Sequence, residues 1–325
     1  MKKALAIIMA AAMALSLAAC GGSSSSAAAS TAASKPASTA ASTAASGTKY
    51  KVYLISMDQM DQHWVNMDKG CQKAAAELGN VDYKWTAPDV KDDAKQIECI
   101  NNAVADGANA ILLAANGPDA DVAALKEAQA AGVTIVYVDS PANLPAVKTF
   151  ATDNKAAGKT AGEQLLKALT DAGTTEGKIG IINTNAATTS TVDRENGFRA
   201  AFEGSKFTLL ETQYCEGDAA KAKDIATNYI AQGCVGIFGT NEGSTVGTGN
   251  AIKEDGGKVI GVGFDKSDTI LGLIKDGSIL CTMAQNPDVM GYEGVKAAVA
   301  ALDGSDKGDG STVDTGVTVL TKDKL

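Results

Sequence analysis

The sequence predicts an α/β protein made of two similar domains with parallel sheets. Short apolar runs rich in Val and Ile alternate with helix-length segments whose apolar positions lie three and four residues apart. This order is typical of parallel strands that are covered by helices on both faces. The series starts again after residues 149–153, and the length suits two domains. We therefore expect two Rossmann-like lobes.

The predicted elements follow one another regularly along the chain. The predicted strands cover residues 52–55, 110–115, 134–138, 179–182, 235–238 and 259–262. The predicted helices cover residues 65–78, 94–104, 122–130, 157–169, 219–230 and 246–252. Several of them stop at a glycine, a common C-terminal signal: Gly79, Gly107, Gly132 and Gly233. Because ligands of such sheets bind beyond the carboxyl ends of the strands, the residues after each strand are the candidate site.

The first 48 residues have a different character from the rest. Met1-Lys2-Lys3 is a positive start, residues 4–17 are apolar, and Leu17-Ala18-Ala19-Cys20 resembles the bacterial lipobox. That resemblance implies a signal peptide over residues 1–19 and a diacylglycerol on Cys20, which would anchor the chain on the extracytoplasmic face of the cell membrane. The alternative is ordinary secretion with an incidental Cys20. Residues 20–48 are rich in Ser, Ala and Thr and predict a disordered tether.

Charge and motif content favour a binding protein and exclude several other classes. The net charge is −9, and without residues 1–48, which carry three lysines and no acid, it is −12. An acidic body without a basic cluster argues against nucleic acid as a partner. His63 is the one histidine, no Gly-x-Ser-x-Gly follows a strand, and no complete dinucleotide or phosphate loop is present. We therefore expect no enzyme activity and no cofactor.

The cysteines give no sign of a metal site. No Cys-x-x-Cys pair occurs, and we expect no bound metal. Most of the cysteines after Cys20 lie in apolar contexts and are expected to be buried free thiols, with one disulfide left open: Cys71, Cys99, Cys215, Cys234 and Cys281.

The residues that follow the predicted strands are polar and share one chemistry. Carboxylates and amides exchange hydrogen bonds with adjacent hydroxyls, a guanidinium makes a planar fork, and flat rings cover the C–H faces of a sugar. A neutral polyhydroxylated ligand would suit this set. Its members are Asp58, Asp61, His63, Trp64, Asn116, Asp139, Thr152, Asp153, Asn183, Asn185, Arg194, Asn241, Glu242, Phe264, Asp265 and Gln285.

Eight segments resemble, in order and spacing, the type I solute-binding proteins of bacterial sugar transporters, above all the ribose and galactose binding proteins. They are residues 56–70, 116–119, 138–139, 151–154, 193–198, 240–242, 262–265 and 284–288. The resemblance implies a sugar cleft lined by Asp61, His63, Trp64, Asn116, Asp139, Arg194, Asn241, Asp265 and Gln285, with Phe264 nearby.

The resemblance also implies the domain organisation and the function. An N-lobe of residues 49–152 plus 286–311 and a C-lobe of residues 153–285 plus 312–325 would be joined by a three-strand hinge. The monomeric protein would capture a monosaccharide or related polyol by closing the lobes, and would deliver it to an ABC permease. The alternative is a sugar sensor whose closed form acts on a chemoreceptor or a histidine kinase.

The sequence departs from ribose binders at three places. Ser140 stands where they usually have Arg, Cys215-Glu216-Gly217 where they usually have a second ring, and His63-Trp64 where they have two Phe. A hexose, a polyol or an amine-bearing ligand therefore stays open.

Each site residue also has a structural interpretation. Asp139 and Asp265 could cap the segments that follow them, and Trp64 could be a core residue. Arg194 could pair with a neighbouring acid on a solvated helix face, and His63 could be an ordinary surface residue.

Overall fold

The computed structural model describes residues 49–325. The predicted signal peptide, Cys20 and the tether lie outside the described residues.

The strands and helices alternate along the chain as the sequence indicates. The strands are β1 (Tyr50–Ile55), β2 (Val81–Thr86), β3 (Ala110–Leu113), β4 (Thr134–Val138), β5 (Thr149–Ala151), β6 (Glu176–Asn183), β7 (Lys206–Leu209), β8 (Gln213–Tyr214), β9 (Cys234–Gly239), β10 (Ile260–Phe264), β11 (Cys281–Gln285), β12 (Thr312–Asp314) and β13 (Val317–Thr321). The helices are α1 (Gln62–Leu78), α2 (Asp93–Ala105), α3 (Val122–Ala130), α4 (Asn154–Asp171), α5 (Thr189–Ala201), α6 (Ala219–Ala231), α7 (Glu242–Glu254), α8 (Asp268–Asp276) and α9 (Pro287–Asp303), and a 3-10 turn follows at Lys322–Lys324.

Two sheets form the two lobes. The first lobe has the strand order β12-β5-β4-β3-β1-β2, and its strands pair in parallel. The second lobe has the order β13-β11-β10-β9-β6-β7, with β8 also pairing with β6 and with β13 antiparallel to β11. The predicted α/β class with two parallel-sheet lobes is confirmed.

Each sheet is covered on both faces because successive residues of a strand point to opposite sides. In β1, Val52 and Leu54 belong to a core that also contains residues of α1 and α9, whereas Tyr53 and Ile55 belong to a core with residues of α2 and α3. The second lobe repeats this arrangement, with α4 and α5 on one side of its sheet and α6 and α7 on the other. Strand ends therefore remain the natural place for a polar site.

The structure differs from the sequence prediction at the sheet edges. The predicted strand 134–138 and the predicted helix 122–130 agree in both bounds with β4 and α3. By contrast, β2, β7, β8, β12 and β13 are not predicted, because most of their residues are exposed or partly buried and none of these strands has a continuous apolar run.

The chain passes between the sheets three times. It crosses after β5, after β11, and between β12 and β13. The third crossing follows residue 314 and not residue 311, where we expected it. Because β12 pairs with β5 in parallel, Thr312–Asp314 belongs to the first lobe, which corrects the expected boundary.

The five cysteines within residues 49–325 are free thiols, four buried and one, Cys99, half-buried. Among these described residues, no helix is both long enough and apolar enough to cross a membrane.

Candidate functional site

Polar side chains from the carboxyl ends of both sheets converge on a buried cavity between the two lobes. Its volume is about 20 Å³, room for about one water molecule. The space is small because side chains on opposite walls pair with one another. The cavity is lined by Met57, Asp61, His63, Trp64, Lys91, Asp139, Thr184, Ser190, Thr191, Arg194, Asn241, Asp265 and Gln285.

A larger groove of about 900 Å³ adjoins the cavity and shares His63 and Gln285 with it. The groove is lined mainly by residues of α1, α8 and α9, and its lysines Lys69, Lys73 and Lys266 are exposed. We place the candidate site in the cavity, because the buried polar groups of both lobes meet there.

Asp139 and Asp265 occupy equivalent positions in the two lobes. Each directly follows a central strand, and each has a left-handed backbone, with φ of 63° and 74°. Their N–H groups donate to the adjacent strand, at 2.8 Å to the Phe150 oxygen and 2.9 Å to the Met283 oxygen. A left-handed conformation is strained for a residue other than glycine and is concentrated at functional sites.

Neither of these two aspartates caps a helix. The N-cap of α8 is Ser267, whose side chain accepts from the backbone N–H of Ile270. No helix follows Asp139 until α4, which begins beyond β5. The capping interpretation is therefore wrong, and both carboxylates face the cavity.

His63 lies between the two aspartates. Its Nε2 is 3.0 Å from Asp139 Oδ2, and its Nδ1 is 3.5 Å from Asp265 Oδ1. The contact of His63 Nε2 with Asp139 Oδ2 has the distance of an ion pair, but its angles do not suit a hydrogen bond. His63 Nε2 therefore has no hydrogen-bond partner. Burial would lower the pKa of His63, but Asp139 and then the charge of Asp265 raise it further than burial lowers it. The two carboxylates therefore favour the protonated imidazole, and His63 is a buried residue held between both lobes, not a surface residue.

Arg194 is buried and oriented by three contacts. Its Nε donates to Asn154 Oδ1 at 2.8 Å, one Nη donates to the Thr240 oxygen at 3.0 Å, and its guanidinium lies 4.2 Å from the centre of the Phe264 ring. The second Nη has no hydrogen-bond partner and points towards Asp139, whose Oδ2 is 3.9 Å away. The interpretation of Arg194 as half of a surface ion pair is therefore wrong.

Two of the ten cleft residues that the resemblance implies do not line the cavity. Phe264 is fully buried in the core of the second lobe and supports Arg194 from beneath, so its expected position over a sugar face is corrected. The cause is strand alternation: as the last residue of β10, Phe264 points inward, and Asp265 follows it into the cavity. Asn116 lies beside the cavity, where its Nδ2 donates to Asp93 and its backbone oxygen accepts from Thr188 Oγ1.

The other predicted residues are brought together in the cavity wall. Asn241 is the N-cap of α7, where its Oδ1 accepts from the Ser244 N–H. The Nε2 of Gln285 donates to Asp265 Oδ1 at 2.6 Å. Trp64 belongs partly to the core of the first lobe and packs edge-on against His63, with ring centres 4.7 Å apart. Its core interpretation and its site interpretation therefore both apply.

Buried polar atoms without hydrogen-bond partners are concentrated in this region. Among the described residues they include four on the cavity wall and one beside it: His63 Nε2, Thr184 Oγ1, one Nη of Arg194, Asn241 Nδ2 and Asn116 Oδ1. Because buried polar groups in proteins nearly always find partners, a cluster of this kind suits a ligand that supplies several hydroxyls.

Sequence reasoning missed five residues of the cavity wall: Met57, Lys91, Thr184, Ser190 and Thr191. Thr184 lies between the predicted positions Asn183 and Asn185 at the end of β6, so the strand-end rule could have found it, whereas Ser190 and Thr191 lie further on, in the first turn of α5. Lys91 follows the unpredicted strand β2, and nothing in the sequence marks it as buried.

Several hydrogen bonds join the lobes around the cavity, including one from Ser140 Oγ to Ser190 Oγ at 3.3 Å. The His63 N–H donates to Glu242 Oε2 at 3.1 Å, Thr188 Oγ1 to the Asn116 oxygen at 2.7 Å, the Ser190 N–H to Ser140 Oγ at 3.3 Å, and the Asp268 N–H to Gln62 Oε1 at 3.0 Å. The lobes are therefore in direct contact across the cleft. Burial, followed by the charges of Asp61 and Asp265, raises the pKa of Glu242 to about 7.

Comparison with known proteins gives consistent matches over most of the chain. A family model described as the periplasmic binding protein domain matches residues 52–306. The ribose import binding protein RbsB of Haemophilus influenzae is 32% identical over 245 residues, which are 74% of this chain and 82% of that protein.

Solved structures of sugar-binding proteins also superpose on most of this chain. An ABC transporter solute binding protein from Agrobacterium vitis with bound D-fucose has a TM-score of 0.79 at 31% identity, covering 84% of this chain and 96% of that one. A carbohydrate transporter solute binding protein from Agrobacterium radiobacter in complex with D-arabinose also has a TM-score of 0.79, at 30% identity, covering 85% and 95%.

Proposed function

The chain belongs to the periplasmic binding protein family, and from that membership we propose that it captures a monosaccharide or related polyol between its lobes and delivers it to an ABC permease. Its relatives are binding components of sugar transport and not enzymes, and the chain is likewise a binding protein without catalytic activity.

The proposal rests on the placing of Asp139 and Asp265, one from each lobe, in the wall of the same cavity. Both residues have a left-handed backbone, and their carboxylates face the cavity from opposite lobes. His63 lies beside both carboxylates, and Arg194 lies beside that of Asp139. A ligand that hydrogen-bonds to both carboxylates makes more contacts when the lobes are together, and that difference is what favours closure. The cleft would therefore open and close about the three chain crossings.

The chemistry of the wall supports a neutral sugar as the ligand. Five side chains near the cavity carry buried polar atoms without partners, and Trp64 offers an apolar ring. One relative is named for ribose, and two structural neighbours hold D-fucose and D-arabinose. We therefore propose an aldose or a closely related polyol for this chain.

The proposal includes the cellular location of the protein. Cys20 after a signal of residues 1–19 would carry the lipid, and residues 20–48 would tether a monomeric body on the extracytoplasmic face of the cell membrane. We propose no signalling role, since nothing in the described site or in these relatives favours one.

A thermal-shift screen tests the ligand proposal. D-ribose, D-arabinose and D-fucose are added in large excess, and a sugar at a hundredfold its dissociation constant stabilises the protein by about 2.7 kcal/mol. At least one should raise the melting temperature. Equal melting temperatures with every sugar and with buffer would reject the proposal.

Fatty-acid labelling in the native host tests the anchor. We expect the wild type to take up radioactive fatty acid and Cys20→Ala to take up none. Cys99→Ala is the matched control and should label normally. Label on Cys20→Ala would reject lipidation at this residue.

A further inference from the structure

Lys91 is a charged residue in the cavity wall. It lies between β2 and α2, and its side chain is 3% exposed. Its ammonium contacts Asp58 Oδ2 and lies 3.0 Å from Asp61 Oδ2. Because an ammonium carries three N–H donors, these two contacts leave one donor for another partner.

Asp58 holds Lys91 from a fixed position. Its Oδ1 accepts from the backbone N–H groups of Met60 and Asp61 at 2.7 and 3.2 Å, and its Oδ2 accepts from Trp64 Nε1 at 3.3 Å. Burial would raise the pKa of Asp58, but the Lys91 charge and these donors lower it further than burial raises it. Burial would likewise lower the pKa of Lys91, which Asp61 and Asp58 raise instead. The ammonium is therefore charged and rigidly placed.

The second lobe leaves a space that fits Lys91. Gly217, in the loop between β8 and α6, has a φ of 77°. A Cβ on this glycine would lie 2.7 Å from Lys91 Nζ and 3.0 Å from its Cδ. Any other residue at position 217 would therefore displace the lysine. Lys91 thus reaches across the cleft and contacts the opposite lobe.

Building on the function proposed above, we propose that Lys91 is a specificity-determining residue whose free N–H donates to one hydroxyl of the bound sugar. The two aspartates outnumber the single ammonium, so this corner of the site disfavours an anion and suits a neutral hydroxyl. The ligand class is a sugar that keeps a hydroxyl at the edge facing Lys91 and Gly217.

Binding measurements with deoxygenated sugars test this assignment. The probes are D-ribose, D-arabinose and D-fucose, each with its full set of monodeoxy analogues, and the dissociation constants are measured by titration calorimetry. For the wild type, one missing hydroxyl should weaken binding about tenfold to hundredfold, the range of a charge-assisted hydrogen bond. In Lys91→Met, the same deoxygenation should cost nothing further, while the other positions keep their wild-type ratios.

Matched variants separate this role from a structural one. Lys95→Met removes an exposed lysine four residues away, which pairs with Asp89 on the surface, and should reproduce the wild-type ratios. If Lys91→Met alone fails to fold, the double variant Asp58→Asn/Lys91→Met keeps the net charge and serves for the same measurement. Melting temperatures without sugar report the structural effect separately.

The outcomes are distinct. Unchanged ratios at every hydroxyl in a folded Lys91 variant would overturn the specificity role while leaving the proposed function intact. Failure of the wild type to bind any of the sugars would overturn both.

Discussion

Glu242 predicts a pH dependence of sugar binding. It lies in the second lobe and accepts the His63 N–H of the first lobe, so its environment differs between open and closed lobes. Burial, then the nearby charges of Asp61 and Asp265, raises its pKa from 4.5 to about 7 in the closed arrangement. The substitution Glu242→Gln keeps an oxygen that can accept the His63 N–H and removes the ionisable carboxyl group.

The sign and the size follow from that shift. A raised pKa means that the closed form binds a proton more readily than the open form, so closure is most favourable below pH 4.5. As pH rises from 4.5 to 7 the advantage is lost, and above pH 7 it is absent. A shift of 2.5 units, from 4.5 to 7, corresponds to about 3 kcal/mol or about 300-fold in affinity.

Titration calorimetry with the tightest-binding panel sugar, from pH 5 to pH 8, measures this effect. Wild-type affinity should fall with pH, and Glu242→Gln should flatten the fall between about pH 5 and pH 6.5, whereas the part at higher pH to which His63 contributes should remain. Asp121→Asn is the control: burial, then Asp93, also raises the pKa of Asp121 to about 7, but this residue lies within the first lobe beside α3. It should change the pH dependence of unfolding and leave that of binding unaltered. An equal slope in Glu242→Gln and wild type would refute the reasoning.

Three further predictions follow from the packing around the site. Gly158→Ala places a methyl group where the carbonyl oxygen of Arg194 lies, so α4 and α5 must separate. Because Arg194 then moves, sugar affinity measured by calorimetry should fall at least about tenfold. An unchanged affinity would contradict this prediction. Phe264→Leu removes the ring under the Arg194 guanidinium and should weaken sugar binding by about 1–2 kcal/mol in titration calorimetry. An affinity equal to that of the wild type would show that the ring does not support Arg194 in binding. Among the described cysteines, Cys99 is half-buried and the other four are buried, so Cys99 should react first with iodoacetamide. Site-resolved mass spectrometry measures the order of labelling, and faster labelling of Cys71 would disprove this prediction.

The fold and the main site pattern could be predicted because they depend on local signals. The apolar runs of the central strands and the glycines after the helices identify the elements, and Asp139 and Asp265 are found from their place after β4 and β10. Parallel sheets put such positions at one edge, so the prediction needs no knowledge of distant contacts.

The remaining features depend on tertiary contacts that no local pattern records. The burial of Lys91 requires its own loop to meet residues 58 and 61, which share the loop before α1, and residue 217, which lies in a loop of the second lobe. The inward direction of Phe264 depends on where β10 ends. The position of β12 in the first sheet follows from its pairing with β5, which a short exposed segment does not reveal.

Titration calorimetry of D-ribose, D-arabinose and D-fucose with the wild type, Asp139→Asn and Asp265→Asn tests whether these two carboxylates hold the sugar. Asn is the appropriate replacement because it tolerates the left-handed backbone of both positions better than Ala does. We predict that at least one sugar binds the wild type, and that each variant remains folded by circular dichroism but binds that sugar at least about a hundredfold more weakly. Wild-type affinity in both folded variants would contradict the central claim that these two carboxylates hold the sugar between the lobes.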